Sequence, residues 1–577
     1  MTVLATAGHV DHGKSALVEA LTGVHPDHLP VERERGMTVD LGFGAAHLPS
    51  GREVGIVDVP GHLRYLRNMI AGAGAVTGVL FVVSAVEGWR AQSEEHLGIL
   101  EALGVEAMVV ALTMADRVDA RQLDETERDV RRRVARSSVD LVGVVATAAP
   151  TGVGLERLGL ALDDLVDRLA APTDRGAPRL WIDRAFSLAG IGTVVTGTLA
   201  HGALAHGDEV VLEPSGRPSR VRGLHTHGRT VTELGPGNRI AVRLHRVSPS
   251  SIRRGDALVR PGEWHMTHRV DASLRLLGTR DADVGRRGAY AVHIGTAEIT
   301  ARLRVLGAEQ LGPGDAGHVR LHLARALPLV PGDRFVLRDL GRGTTVGGGA
   351  VLDVDPRRAA ATAHPSDSVA EVVAQRGAVE LAELARLTGR RIEPDVGRWV
   401  IDPDRRRELV DEVRRRLEHR GEEGLALGEL EEPVRSVALT LEAVEVRHGR
   451  LHLGGPRPTA GEALARRLAA DPFRPPRPGP EDRGALLELV ANGEVVSCAG
   501  TWFARSAVES AASAVAELLA DHPEGITVGM VRDRLGTSRR HLIPLLNHLD
   551  ATGRTRRRGS LRVAGPRLPA AGPSGPG

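Results

Sequence analysis

The sequence predicts a multidomain fold: an α/β domain built on a phosphate-binding loop, two β-barrel domains, and then an α+β array of winged-helix domains. Three observations carry this reading. At 577 residues the chain exceeds the roughly 250 to 300 residues at which a single hydrophobic core stops growing. Gly8-His9-Val10-Asp11-His12-Gly13-Lys14-Ser15 follows an apolar strand and precedes a helical run, the context that a phosphate loop requires. The texture then changes twice, first near residue 178 to short β runs broken by turns, and near residue 362 to helices that end in hairpins.

Taken in order, residues 1–172 alternate short apolar strands with amphipathic stretches. Val3 to Ala7, Gly55 to Val59, Val79 to Ser84, Ala107 to Thr113 and Val142 to Thr147 read as strands, which implies a doubly wound parallel sheet. Pro172, Gly176 and Pro178 mark a linker. Residues 178–263 and 264–357, punctuated by Gly-Asp and Pro-Gly turns, read as two small β-barrels. Beyond them, helical segments lead into hairpin-like ends at 444–453, 494–503 and 555–563. That recurring theme predicts winged helices at 362–423, 424–456, 457–506 and 507–565, followed by a Pro-, Gly- and Ala-rich tail at 566–577 expected to be disordered.

Composition removes several classes. Hydrophobic residues at 42% and charged residues at 26%, with no apolar run near the ~20 residues of a membrane helix, exclude such a span. The chain starts directly on a strand-like run with no basic leader, so the cytoplasm is the expected location. The single cysteine, Cys498, excludes an intramolecular disulfide framework and is expected to be a packing residue. With 75 basic against 73 acidic residues the net charge is only +2, so nucleic-acid binding must be argued from where the charge lies. Aromatic residues, at 2%, are too few for a base-stacking platform, and RNA contacts are expected to use phosphates and shape.

Lys14 is the only lysine in a chain whose other cations are arginines, which suggests a site that needs a compact ammonium. In the loop formed by Gly8, Val10, Asp11, His12 and Gly13, backbone N–H groups would turn inward around the phosphates. Lys14 would bridge the β- and γ-phosphates, and Ser15 would place its hydroxyl on Mg²⁺. Asp58-Val59-Pro60-Gly61-His62 ends a second strand. Asp58 would hold the metal through water, the Gly61 amide would bind the γ-phosphate, and His62 would orient the attacking water. Thr38, in Arg35-Gly36-Met37-Thr38, would give the metal its second hydroxyl. Thr113-Met114-Ala115-Asp116 ends the strand where the base should lie. A carboxylate there accepts two donors from guanine and would be left unpaired by adenine, which makes the nucleotide GTP or GDP and the domain an α/β P-loop GTPase domain.

With these residues in hand the chain resembles the translational GTPases, and within them the selenocysteine-specific elongation factor (SelB) family. Ile182-Asp183-Arg184-Ala185-Phe186, Gly192-Thr193-Val194-Val195-Thr196-Gly197-Thr198, Arg220-Val221-Arg222-Gly223-Leu224-His225 and Gly237-Asn238-Arg239-Ile240-Ala241 look like that family's second domain. The C-terminal extension with Arg532-Asp533-Arg534-Leu535-Gly536 extends the likeness to nearly the whole chain. The resemblance implies a cytoplasmic, monomeric GTPase that carries selenocysteinyl-tRNA to the ribosome at UGA codons and binds a hairpin in the selenoprotein messenger through its last winged helix. It also implies an apolar gate of Val10 and Met37 before His62, and a selenocysteine pocket holding Arg184 and Arg239. A selenol ionises well below a thiol, so cationic donors would favour the selenolate over a serine hydroxyl.

Two positions depart from the family pattern. Guanine sites usually read Asn-Lys-x-Asp, where this chain has Thr113 and Met114, so weaker guanine binding is expected with selectivity kept by Asp116. Leu63 follows His62 where relatives often carry Glu. The usual Ser-Ala backbone contact to the base is blurred, with Ala148 and Ala149 as the candidates. Met114 also motivates an alternative, a guanine-nucleotide-sensing RNA-binding adaptor with weak or no GTPase activity; retention of Lys14, Ser15, Thr38, Asp58 and His62 argues against it.

At the far end, residues 530–567 contain ten arginines against Asp533 and Asp550. Arg539 and Arg540 are expected to open a recognition helix capped by Ser538, with Arg534 nearby and Arg556, Arg557 and Arg558 on the wing. Helix and wing together could straddle the phosphates of one RNA hairpin.

Overall fold

The computed structural model describes residues 2–25, 42–59, 78–226, 228–278, 283–453 and 459–569. They divide into two compact units, Met1–Glu412 with Glu431–Ala438, and Val413–Leu430 with Leu439–Gly577.

The first unit opens with a sheet of six strands: β1 (Val3–Gly8), β2 (Gly42–His47), β3 (Glu53–Asp58), β4 (Gly78–Ser84), β5 (Ala107–Thr113) and β6 (Asp140–Ala146), in the order β2-β3-β1-β4-β5-β6. All pairings are parallel except β2 with β3. Strands β1, β4 and β5 are buried along their whole length because helices cover both faces, which is why they read as unbroken apolar runs. Along β4 the pleat sends Val79, Phe81 and Val83 to one core with helices α2 (Ala91–Leu103) and α3 (Ala120–Val134). Leu80 and Val82 go to the opposite core with α1 (Lys14–Thr22) and α4 (Leu155–Arg168). The sequence reading missed β2: two glycines and two alanines in six residues carry little strand propensity, and only pairing with β3 makes them a strand.

The first barrel contains β7 (Arg179–Leu188), β8 (Gly192–Ala200), β9 (Glu209–Glu213), β10 (Arg217–Thr226), β11 (Arg229–Val231), β12 (Arg239–Leu244) and β13 (Ala257–Val259). Their order is β9-β13-β7-β8-β12-β10-β11, and pairing of β9 with β10 closes the six-stranded ring. The second barrel closes β14 (Met266–Leu276), β15 (Arg287–Ile294), β16 (Ala297–Leu306), β17 (Ala316–Pro328), β18 (Arg334–Asp339) and β19 (Thr345–Asp353) in the order β14-β17-β16-β15-β18-β19. A buried bidentate ion pair joins the barrels, with Arg179 Nη1 and Nη2 donating to Asp333 at 2.7 and 2.6 Å. Burial would raise the Asp333 carboxyl, but Arg179 outweighs it and holds the group below the usual carboxylate range.

Helix α2 joins the sheet to the second barrel. Thr345 Oγ1 donates to Glu95 at 2.7 Å, and a Cβ on Gly348 would lie 2.5 Å from that of Ala102, so this contact requires a glycine. Val336 of β18 is part of the same core as Leu97 and Leu100. The unit continues with α5 (Val369–Arg376), β20 (Ala378–Glu380), α6 (Leu381–Thr388) and β21 (Trp399–Ile401), two short helices with a two-stranded ribbon.

The second unit repeats helices and ribbons: α7 (Ala460–Ala470) and α8 (Arg483–Ala491) with β22 (Val495–Cys498) and β23 (Thr501–Ala504), then α9 (Arg505–Asp521), α10 (Val528–Leu535) and α11 (Arg539–Ala551) with β24 (Thr555–Arg558) and β25 (Leu561–Ala564). Cys498 packs in its core beside Phe503, and burial pushes the thiol up to about 11, in keeping with a packing role. Residues 570–577, most of the expected disordered tail, lie outside the described residues.

Candidate functional site

The turn after β1 is shaped by glycines. A Cβ on Gly8 would lie 2.1 Å from the Val82 carbonyl oxygen, and Gly13, at φ 81°, sits in the left-handed region just before α1. Helix α1 begins with neither a side-chain cap nor an acidic residue in its first turn, so no side chain of the helix itself competes for its amides, which face the loop with its partial positive charge. Two further amides of the turn are fixed from α2. The Gly8 N–H donates to His96 Nδ1 at 3.1 Å, and the Val10 N–H donates to Gln92 Oε1 at 3.2 Å.

Lys14 is buried, and its Nζ donates to the carbonyls of His9 at 2.7 Å and Gly8 at 3.2 Å. Burial lowers this ammonium from 10.5 to about 8, against the pull of Asp58 and Asp11. Burial likewise lowers His12 to about 4 and His96 to about 3, so both imidazoles are neutral near pH 7 and Lys14 supplies the loop's cationic side chain. Asp58, fully buried at the end of β3, accepts from Ser15 Oγ and from Thr6 Oγ1, each at 2.8 Å. A helix-start hydroxyl with a carboxylate beside it is an oxygen set suited to Mg²⁺.

The base loops meet on the same side of the sheet. Thr113 Oγ1 donates to the His12 carbonyl at 2.7 Å, so threonine ties the base loop to the phosphate loop. Met114 adopts the left-handed conformation at φ 56° and its sulfur receives the Ser84 hydroxyl at 3.6 Å, which holds its stem beside the end of β4. Asp116 is exposed on the following turn. The Ala148 N–H donates to Val153 O at 2.9 Å, so its amide is already committed within the loop. Thr38, Gly61 and His62, together with Met37 and Leu63, lie outside the described residues.

On the first barrel, Arg184 and Arg239 converge on one aromatic ring. Their Cζ atoms lie 5.5 and 3.5 Å from the centroid of Phe43, which belongs to β2 of the nucleotide domain. Arg239 also forms a bidentate ion pair with Asp183, which in turn accepts from Thr196 Oγ1 at 2.5 Å. Sequence reasoning missed both neighbours. Asp183 stood next to Arg184 in a quoted motif, but Phe43 is remote in sequence and lies on the strand that was not anticipated.

In the second unit, Arg539 and Arg540 open α11 and are exposed, and Arg556, Arg557 and Arg558 are exposed on β24. Ser538 is the residue before α11, but its hydroxyl meets His541 Nδ1 at 3.0 Å rather than a backbone N–H, a correction to its expected capping bond. The local arginine excess is smaller than the bare count, because Arg532, Arg534, Arg554 and Arg562 pair with Asp533, Glu517, Glu509 and Asp550. Among the described residues this leaves Arg539, Arg540, the three wing arginines and Arg567 outside any ion pair.

A phosphate loop on a parallel sheet, a guanine-type base loop and two closed barrels behind them make this chain a translational GTPase, and residues 1–168 match the family model of the elongation factor Tu GTP binding domain. Residues 271–358 match the beta-barrel domain of the selenocysteine-specific elongation factor, and residues 517–564 match the winged helix of elongation factor SelB. The selenocysteine-specific elongation factor of Escherichia coli (strain K12) is 31% identical over 624 residues, covering 97% of this chain and 98% of that protein. The chain therefore belongs to the selenocysteine-specific elongation factor (SelB) family. The corresponding factor of Desulfomicrobium baculatum is 36% identical over 388 residues, an alignment that spans 67% of this chain and 61% of that one. A crystal structure of bacterial selenocysteine-specific elongation factor EF-Sec shares the fold, with a TM-score of 0.64 at 24% identity over 98% of this chain and all of that one. No helix among the described residues is long and apolar enough to cross a membrane.

Proposed function

We propose that this chain delivers selenocysteinyl-tRNA to the ribosome at UGA codons, recruited by a hairpin in the selenoprotein messenger RNA, and that GTP hydrolysis releases the tRNA. The observation that carries the reading is the union, in one chain of this family, of the Lys14–Ser15–Asp58 phosphate site with a terminal winged helix bearing exposed arginines. It acts as a cytoplasmic monomer. The division of labour is that of the sequence: residues 1–172 bind and hydrolyse GTP, 178–263 and 264–357 form the barrels, and the winged helices at 362–423, 424–456 and 457–506 lead to that at 507–565, which grips the hairpin.

In the nucleotide site, the loop from Gly8 to Gly13, through the amides that α2 does not hold, and the start of α1 cradle the phosphates, and Lys14 neutralises charge at the β,γ-bridge as it develops. Ser15 and Thr38 supply hydroxyls, and Asp58 a carboxylate, for Mg²⁺, which polarises the phosphate oxygens when bound. Gly61 holds the γ-phosphate and His62 orients the water, behind an apolar gate of Val10 and Met37. Water attacks the γ-phosphorus, the bond to the β,γ-bridging oxygen breaks, and GDP leaves. Asp116 selects guanine with help from Thr113, Met114 and the Ala149 amide. Arg184 and Arg239 recognise the selenolate of the charged tRNA, while Arg534, Arg539, Arg540, Arg556, Arg557 and Arg558 face the RNA phosphates.

The test is a pull-down that compares selenocysteinyl-tRNA with its seryl precursor in GTP and in GDP. Retention of the selenocysteinyl form alone, and only with GTP, is expected; equal retention of both would refute the proposal.

A further inference from the structure

We propose that His9, His12 and Glu87 form a second cation site, one that takes a transition metal of the Zn²⁺ class and shares no ligand with the Mg²⁺ of the nucleotide. The inference goes beyond tRNA delivery and does not depend on it. Among the described residues, these three side chains bring one ligand atom each within 4.8 Å of one another. His9 and His12 flank a turn in which Asp11 has a φ of 61°. Their rings meet edge to face, with centroids 4.9 Å apart. Glu87 comes from the turn after β4, and its Oε2 lies 3.9 Å from His12 Nε2.

A buried polar group without a partner needs a reason. His12 is fully buried, yet neither of its ring nitrogens has a hydrogen-bond partner, and His9 Nδ1 lacks one too. The Val82 backbone favours the protonated ring but does not offset burial, so near pH 7 His12 keeps a lone pair and a metal displaces no proton from it. Two imidazoles and a carboxylate, with water in the fourth position, are the donor set of Zn²⁺ and its neighbours, whereas Mg²⁺ takes oxygen ligands. The backbone around the ligands is already held. Thr113 Oγ1 donates to the His12 carbonyl at 2.7 Å, Lys14 Nζ to that of His9 at 2.7 Å, and the Glu87 N–H to Ser84 Oγ at 3.4 Å. Coordination at about 2 Å needs the ligand atoms closer together, and the Glu87 side chain, 38% exposed, has the freedom to close on the histidines. Two cations oppose the ion. Arg90 Nε donates to Glu87 Oε2 at 3.2 Å, but that pair is exposed and weak, and Lys14 disfavours positive charge at both histidines. Against them, a metal that prefers imidazole is selected over one that prefers oxygen.

The experiment titrates the full-length, nucleotide-free protein with Co²⁺, whose visible absorption reports its coordination, in wild type, Glu87→Gln and His9→Gln, and then adds Zn²⁺ or Mg²⁺ in competition. The wild type should develop the Co²⁺ band, which Zn²⁺ abolishes and excess Mg²⁺ leaves in place. Each substitution removes a ligand and should weaken Co²⁺ binding at least about tenfold. Glu87→Gln, at a position the nucleotide site does not use, should bind GTP with Mg²⁺ as the wild type does, which shows that the loss is not one of folding. A Co²⁺ affinity unchanged in both variants overturns the inference. So does a wild-type protein with no band, or with one that Mg²⁺ displaces, the mark of the oxygen site at Ser15 and Asp58. A protein that fails to discriminate the two tRNAs refutes the function proposed above and leaves this inference standing.

Discussion

Raising the pH from about 7 to about 9 should weaken guanosine triphosphate binding about tenfold, because the buried ammonium of Lys14 loses its proton within that window. The fall from 10.5 to about 8 corresponds to about 3 kcal/mol of net cost for holding the charge in the loop, with two carbonyl hydrogen bonds already in place. A triphosphate restores the anionic partner and raises the group again, so binding takes up a proton. Above about pH 8 the logarithm of the affinity should then fall by about one for each pH unit. Folding has the opposite sign. Between about 8 and 10.5 the unfolded chain holds more protons than the nucleotide-free protein, so the stability contributed by this group rises with pH while binding falls. That opposition separates the effect from alkaline damage, which would lower both. His12 and His96 are already neutral and add no slope. The assay is an equilibrium titration with a fluorescent guanine nucleotide across the window, with Lys14→Gln as the control that should lack the slope. An affinity that stays flat from pH 7 to 9 would refute the reasoning.

Four other outcomes are expected. Asp116→Asn should reduce the preference for GTP over ATP about a hundredfold, through the loss of charge-assisted bonds to the base; competition binding that shows the preference intact would contradict the guanine assignment. Gly8→Ala should cost at least about 2 kcal/mol in thermal unfolding and abolish nucleotide binding, since its Cβ would meet the Val82 carbonyl at 2.1 Å and its φ of 133° disfavours a side chain. Arg539→Ala combined with Arg540→Ala should weaken hairpin binding and flatten its log–log salt dependence by about two while GTP hydrolysis persists. Arg562→Ala, by contrast, should cost about 2 kcal/mol of stability, because that guanidinium is 7% exposed and donates to Asp550 and Asn547 inside the fold.

What was legible in the sequence, and what was not, separates along a physical line. The phosphate loop could be read because its constraints are local: backbone turns that need Gly8 and Gly13, a cation one residue into a helix, a strand on one side and a helix on the other. The parallel strands could be read because burial on both faces writes an unbroken apolar run. Strand β2 could not, since its six residues gain their conformation from β3 rather than from propensity. Phe43 was hidden with it, and the platform beneath Arg184 and Arg239 was hidden in turn. Arg562 shows the limit of counting charge: it adds to the basic run in the sequence, and only its burial against Asp550 removes it from the surface. Helix α2 shows best why site and scaffold cannot be separated here. One face sends Gln92 and His96 to the Val10 and Gly8 amides, while Glu95 and Ala102 meet Thr345 and Gly348 of the second barrel. The same helix thus touches both the phosphate loop and the second barrel, and its barrel contact is so close that it excludes a single methyl group. Sequence pattern marks such a segment as helical, but which residues meet the phosphate loop and which meet the barrel is a property of the assembled fold.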